Sequence, residues 1–389
     1  MVNDVDLAEE LAQDAFVAAL EQWPSSGVPE KPGAWLMSTA KHGAIDLVRR
    51  AQRLEQKHQQ LGHELDADIP DFDAMIEEDI EDDLLRLMFM VSHPLLTLDA
   101  RVALTLRLLG SLSTDEVARA FLTPMATVAQ RIQRAKRTLT EAHVPFEVPH
   151  GEDRAQRLDS VLEVIYLIFN EGYSATAGDD WVRPALCDDA LRLGRVLAEL
   201  MPLEPEVHGL VALMEIQASR LRARVATSGE PVRLMDQDRA RWDQLLIRRG
   251  LAALERAERA GGAFGPYGLQ GAIAACHARA RTAEQTDWAR IVGLYDALAQ
   301  VAPSPVVELN RAVAVGMAYG PAAGLELVDR LSSEPALRTY HLLPSVRGDL
   351  LVKLGRRDEA RSEFEQAASL TSNARERELL LARAAACSS

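Results

Sequence analysis

The sequence predicts an all-α protein: apolar residues recur at three- and four-residue spacing in almost every long segment, Ala, Leu, Arg and Glu are abundant, and alternating β-branched runs are nearly absent. With 389 residues, 48% of them hydrophobic, the chain is long enough for two or three domains with real cores. The expected architecture is two small helical domains, the second a helix-turn-helix, followed by a helical-repeat domain.

The first expected helix, Asp6 to Leu20, turns Leu7, Leu11, Phe16 and Leu20 inward and Glu9, Glu10, Gln13 and Asp14 outward. Trp23, Pro24 and the Ser-Ser-Gly-Val-Pro run then form a loop too long for a simple helix hairpin, which suggests a function for it. The next helix, Gly33 to Gln60, carries Lys41, His42, Arg49, Arg50 and Arg53, so an acidic and a basic face lie side by side. Further helices are expected over Glu81–Met90, Asp99–Leu109, Thr114–Phe121 and Pro124–His143, and from about Asp153 helices follow at short intervals, punctuated by Gly and Pro.

Two breaks divide this series. Residues 64–83 hold eleven acids and no base, and HVPFEVPHGED at 143–153 interrupts helix with prolines and a glycine. The expected domains are therefore 1–63, an acidic linker at 64–92, a second domain at 93–143 and a third at 153–389. The acidic tract reads as a solvated, self-repelling linker or as a gate that competes for a basic surface.

Residues 97–139 carry the most specific pattern. A helix ends at Gly110, Ser113 or Thr114 caps a second, and Leu122-Thr123 makes the turn before Pro124 opens a third. Val117, Ala118, Phe121, Val128 and Ile132 have the spacing to pack the two helices together, which turns Met125, Thr127, Gln130, Arg131, Arg134 and Lys136 toward solvent. From Arg119 to Leu139 there are five basic residues and no acid. In a helix-turn-helix the last helix meets base edges with its N-terminal residues and phosphates with its basic flank, and Arg and Gln bind guanine and adenine edges bidentately.

Toward the C-terminus, residues 340–373 match a tetratricopeptide repeat of about 34 residues at Gly348, Gly355, Ala360, Phe364 and Ala367, with Ser372 in place of the usual proline and Leu351 in place of an aromatic. A weaker copy at 287–331 reads as two helices around a Gly/Pro turn. In the same region NEGY (170–173), DQDRARW (236–242) and the loop 261–267 read as helix caps and inter-helix hydrogen bonds or as the lining of an interaction surface.

Several function classes are disfavoured. A formal net charge of −15 argues against a protein that coats nucleic acid along its whole surface. No stretch approaches the ~20 apolar residues of a membrane span and the N-terminus is acidic, so no membrane partner is expected. The three cysteines, Cys187, Cys276 and Cys387, are too few for a disulfide framework and fit a reducing cytoplasm. The paired acids Asp82-Asp83, Asp179-Asp180 and Asp188-Asp189 form no DDxxD, and no HExxH, Walker loop, GxSxG or GxGxxG in strand context occurs. No enzyme, metal or cofactor is expected.

In combination these segments resemble the bacterial extracytoplasmic-function sigma factors of RNA polymerase, in the group with a long helical C-terminal extension. DVDLAEELAQDAFVAALEQWP resembles the helix that docks on the polymerase clamp, and KPGAWLMSTAKHGAIDLVRR the −10 helix. DARVALTLRLLGSLSTDEVARAFLTPMATVAQRIQRAKRTL resembles the −35-reading domain, and VIYLIFNEGYSA with DWVRPALCDDALRLGR the start of the extension.

The resemblance implies core RNA polymerase, through its clamp helices and flap, and promoter DNA as partners. It places Asp6, Glu10, Gln13 and Asp14 on the clamp, and Trp23 in a loop to Pro32 that holds a flipped −10 base. Lys41, His42, Asp46, Arg49 and Arg50 would face the −10 strand, and Met125, Thr127, Gln130, Arg131, Arg134 and Lys136 the −35 element. Unpaired bases need a pocket, duplex reading needs a helix in a groove, and strand opening needs no cleavage chemistry. The family usually has one more helix before the clamp-docking one, so the first domain is expected to be N-terminally short.

The rival reading is a one-component regulator whose helix-turn-helix binds an operator while the repeats sense a ligand or protein. An operator binder has no need of an acidic docking helix coupled to a tryptophan loop and a basic helix. The extension is expected to offer a protein-binding surface that modulates activity from within the chain.

Overall fold

The structure, a computed structural model, describes residues 5–29, 32–33, 35–40, 83–110, 112–121, 123–175, 181–226, 230–261 and 265–387. Most of them are helical, and Val225 and Pro231 form an isolated antiparallel bridge. No helix among them is long and apolar enough to cross a membrane. The chain falls into two units, 1–114 with 125–161 and 115–124 with 162–389.

The first unit holds α1 (Val5–Ser26), α2 (83–91), α3 (Leu98–Leu108), α5 (Met125–Glu141) and the first half of α6 (Gly151–Tyr173). Its core is built from Met88, Phe89, Val91, Leu104, Leu106, Val128, Leu139 and Val161. α3 packs on α5 and ends before Gly110, where a β-carbon would stand 2.7 Å from the Leu106 carbonyl oxygen, so only glycine fits. The start of α6 is tied in by polar bonds as well as apolar ones: Arg157 Nη2 donates to Phe89 O at 3.1 Å, Ser160 Oγ donates to Ser92 O at 2.6 Å, and Arg101 donates to Ser160 Oγ.

The second unit holds α4 (Thr114–Ala120) from its second residue on, and the extension from Leu162. α8 (Pro205–Ala218) is buried on nearly all sides, as a helix apolar around its circumference must be, between α7 (Pro184–Leu200), α9 (Gln244–Ala260) and α10 (Pro266–Arg279). The α8–α10 crossing is close because Gly209 faces Gly268, where a β-carbon would meet backbone at 2.6 Å. The Glu206 carboxylate accepts from the N–H groups of Tyr267 and Gly268 at 2.8 and 3.0 Å, which satisfies and charge-stabilises the N-terminus of α10.

From α10 each helix packs on its neighbours in sequence: α11 (Trp288–Val301), α12 (Pro305–Tyr319), α13 (Pro321–Leu331), α14 (Leu342–Lys353), α15 (Arg357–Leu370) and α16 (Ala374–Ala386). The expected repeat is the α14–α15 pair: Phe364 and Ala360 are buried, Gly348 leaves room for the Phe364 ring, and Gly355 turns the chain at φ +76°. The weaker copy at 287–331 is corrected to three helices, because Pro305 and Pro321 each open a helix after a non-helical residue. Buried Asn373 donates to Ala175 O at 3.1 Å and so pins the last pair to the end of α6.

Candidate nucleic-acid interface

The chain order α4, turn, α5 is that of a helix-turn-helix. The turn is closed by the Phe121 N–H on Val117 O at 3.1 Å and the Thr123 N–H on Ala118 O at 3.0 Å, while Pro124 directly precedes α5. Val117, Ala118, Val128 and Ile132 are buried and Phe121 is half-buried. Along α5, Val128, Ile132, Ala135 and Leu139 make the buried stripe, and Met125, Thr127, Gln130 and Arg134 are exposed. The first turn of α5 holds no acid, so the helix dipole presents a positive end there.

Two residues depart from their expected positions. Lys136 is buried, 5% exposed, because it lies one turn beyond Ile132 on the packed stripe; it is removed from the solvent-facing set. Arg131 is half-buried, and its Nη2 lies 3.2 Å from Asp99 Oδ2 in the first turn of α3. Arg137 is exposed and hydrogen-bonded to Glu141 at 2.6 Å, which raises its guanidinium above the ordinary range.

On α1, Glu10, Gln13 and Asp14 are exposed as expected; the side chain of Asp6 lies outside the described residues. Phe16 and Leu20 are corrected from core to surface, at 58% and 77% exposed. The buried stripe is Leu11, Ala15 and Ala19, spaced by four, and Phe16 and Leu20 sit one residue round the helix from it. With Val17 they form an apolar strip beside the acidic residues.

Trp23 is corrected from loop to helix: α1 continues to Ser26 and closes where the Gly27 N–H bonds Trp23 O at 2.9 Å with φ +83°. The Trp23 ring packs edge-on against Trp35, with centroids 5.5 Å apart. Lys41, His42, Asp46, Arg49 and Arg50 lie outside the described residues.

The structure adds one polar contact that spacing could not reveal, since its partners are far apart in sequence. Arg183, ahead of α7, forms a largely buried ion pair with Glu171 at 2.5 Å and donates to Ala120 O, a carbonyl at the end of α4.

The family model described as Sigma-70 region 2 matches residues 1–54, Sigma-70, region 4 matches 87–139, and a family of unknown function, DUF6596, matches 157–258. "Uncharacterized protein R00370" of Rhizobium meliloti (strain 1021) is 45% identical over 379 residues, covering 96% of this chain and 88% of the relative. The crystal structure of the yeast Tom70 aligns at 11% identity over 98% of this chain and 79% of its own, with a TM-score of 0.38. Regions 2 and 4 are those of a transcription-initiation factor, which works with RNA polymerase and promoter DNA. The chain thus carries sigma-70 regions 2 and 4 ahead of a helical extension, and it belongs to one family with the Rhizobium protein.

Proposed function

We propose that the chain is a sigma factor of the extracytoplasmic-function type, working in the cytoplasm without catalysis of its own. α1 docks on the clamp helices of core polymerase, region 2 opens and holds the −10 strand, and α5 reads the −35 duplex while region 4 rests on the flap. The observation that carries this reading is the two-sided character of α5, which buries Val128, Ile132 and Leu139 and offers Met125, Thr127, Gln130 and Arg134 in a segment free of acids. α1 supports it with a docking face of mixed chemistry, Glu10, Gln13 and Asp14 beside Phe16, Val17 and Leu20.

The extension modulates this activity through a protein partner on its helical surface. Support comes from Arg183, which joins the extension to the end of α4, the first helix of the reading pair. Capping the Ala120 carbonyl fixes where α4 ends, and the turn before α5 starts there.

The test is comigration of the purified chain with core polymerase on a sizing column in the absence of DNA. A stable complex, weakened by charge reversal at Glu10 and Asp14, is expected. Failure to comigrate, combined with tight binding to duplex DNA alone, would contradict it and mark an operator-binding regulator.

A further inference from the structure

Within the extension, aromatic rings and guanidinium groups alternate in an unbroken series. Arg224 lies 5.5 Å from the Trp181 ring centroid and 3.9 Å from that of Tyr173. Arg220 lies 5.7 Å from Tyr173 and 5.8 Å from Trp242, and Arg239 lies 4.9 Å from Trp242. The series joins the NEGY tyrosine to the arginine and tryptophan of DQDRARW through two arginines that flank the short 3-10 turn Leu221–Ala223.

Among the described residues no carboxylate balances the charges in this series. Arg220 is 8% exposed and Trp242 3%, yet among the described residues none of Arg220, Arg224 and Arg239 forms an ion pair with a carboxylate. The acid that acts on Arg239 is Glu284, which is fully exposed. Cation–π contacts contribute about 0.5–2 kcal/mol each, less than the several kcal/mol that desolvating a guanidinium costs. The surplus shows on a neighbour: burial, with the charges of Arg220 and Arg239, pushes His277 down to about 3.

Hydrogen bonding points the same way. The Nε–H groups of Arg220, Arg224 and Arg239 and the indole N–H groups of Trp181 and Trp242 are buried without an acceptor among the described residues. All five are donors, so what is missing is an acceptor. Arg239 is otherwise engaged, by His277 O at 2.6 Å, Ala280 O at 2.7 Å and Thr286 Oγ1 at 3.0 Å. Arg220 meets the Tyr173 hydroxyl, and Arg224 is half-exposed, so the series opens to solvent at its Arg224 end.

We propose that Arg220 and Arg224 form a binding site for a doubly charged tetrahedral oxyanion, the phosphate group of a small soluble ligand. Two guanidiniums match two negative charges, and a tetrahedral group accepts from donors on several sides, where a planar carboxylate would leave one charge over. The site belongs to the extension alone and does not depend on what the sigma regions do.

The test is thermal unfolding of the full chain titrated with sodium phosphate at constant ionic strength, with sodium acetate and sodium chloride as the comparison arms. The unfolding midpoint is expected to rise saturably with phosphate and not with acetate or chloride. Arg224→Gln should fold and lose about tenfold or more in phosphate affinity. Phosphorus NMR line-broadening on the unaltered chain reads binding directly, without relying on any variant.

No phosphate-specific rise would overturn the proposal, and so would a rise retained in Arg224→Gln, which would mark an adventitious ion only. Asp179 and Asp180 lie outside the described residues. If phosphate acts only after Asp179→Asn and Asp180→Asn are combined, the chain supplies its own counter-charge and the proposal falls.

Discussion

Arg131, on the helix we propose reads DNA, is held by Asp99 at the start of the neighbouring helix, with 3.2 Å between Nη2 and Oδ2. The carboxylate is mostly exposed, so the pair contributes under about 1 kcal/mol to stability. It does fix where Arg131 points, and the arginine must exchange this partner for a phosphate or a base edge on binding.

Arg131→Ala is therefore expected to weaken binding to a promoter duplex recovered by in vitro selection by about 1–3 kcal/mol. Asp99→Asn should leave thermal stability nearly unchanged and tighten binding at low salt. Fluorescence anisotropy across a salt series checks both; equal affinity in all three proteins would remove Arg131 from the interface.

Lys136 and Arg134 should separate cleanly in the same assay. Lys136 is on the packed stripe, so Lys136→Met should keep the salt dependence of binding and act only on stability. Arg134→Ala should lower the slope of log affinity against log salt by about one. The reverse pattern would show that α5 faces DNA with its other side.

Arg183 and Glu171 form an ion pair with both side chains largely buried. Removing one partner breaks a largely buried pair, so Arg183→Met should destabilise the chain by roughly 3–5 kcal/mol. Adding Glu171→Gln should recover part of that stability by denaturant titration. If the contact with Ala120 O positions the reading helices, the recovered double variant should still transcribe with altered strength; full activity would limit Arg183 to a structural part.

His277 gives a pH dependence of definite sign. In the unfolded chain it takes its proton near the ordinary 6.5, whereas in the fold it stays neutral down to about 3. Between those values the unfolded state binds more protons, so the stability from His277 is full above pH 6.5 and is lost as the pH falls, about 3 kcal/mol by roughly pH 4. His277→Gln should remove that portion of the acid sensitivity, read as the difference between the two denaturation curves across pH 4–8.

Much of this arrangement was legible in the sequence because it is local. The helix-turn-helix announces itself through a glycine that only fits without a side chain, a proline before the last helix and a period that buries Val128 and Ile132. The α14–α15 pair is legible for the same reason: Gly348 and Phe364 are complementary in size, and both belong to one repeat.

Periodicity was weaker where two adjacent residues compete for one stripe. Alanines at 15 and 19 took the core positions of α1, and the larger Phe16 and Leu20 stayed outside. It misled at Lys136 because charge suggested solvent while position demanded packing. Contacts between distant segments, such as Arg183 with Ala120 or Arg220 with Tyr173 and Trp242, leave no trace in spacing and needed the fold.

The most direct test of the central claim is run-off transcription with the full chain, core polymerase from its host and a template bearing the selected promoter. A discrete transcript is expected, starting at one position, absent without the chain and lost when α5 carries Arg131→Ala and Arg134→Ala together. No chain-dependent transcript, from any template to which the protein binds, would contradict the account.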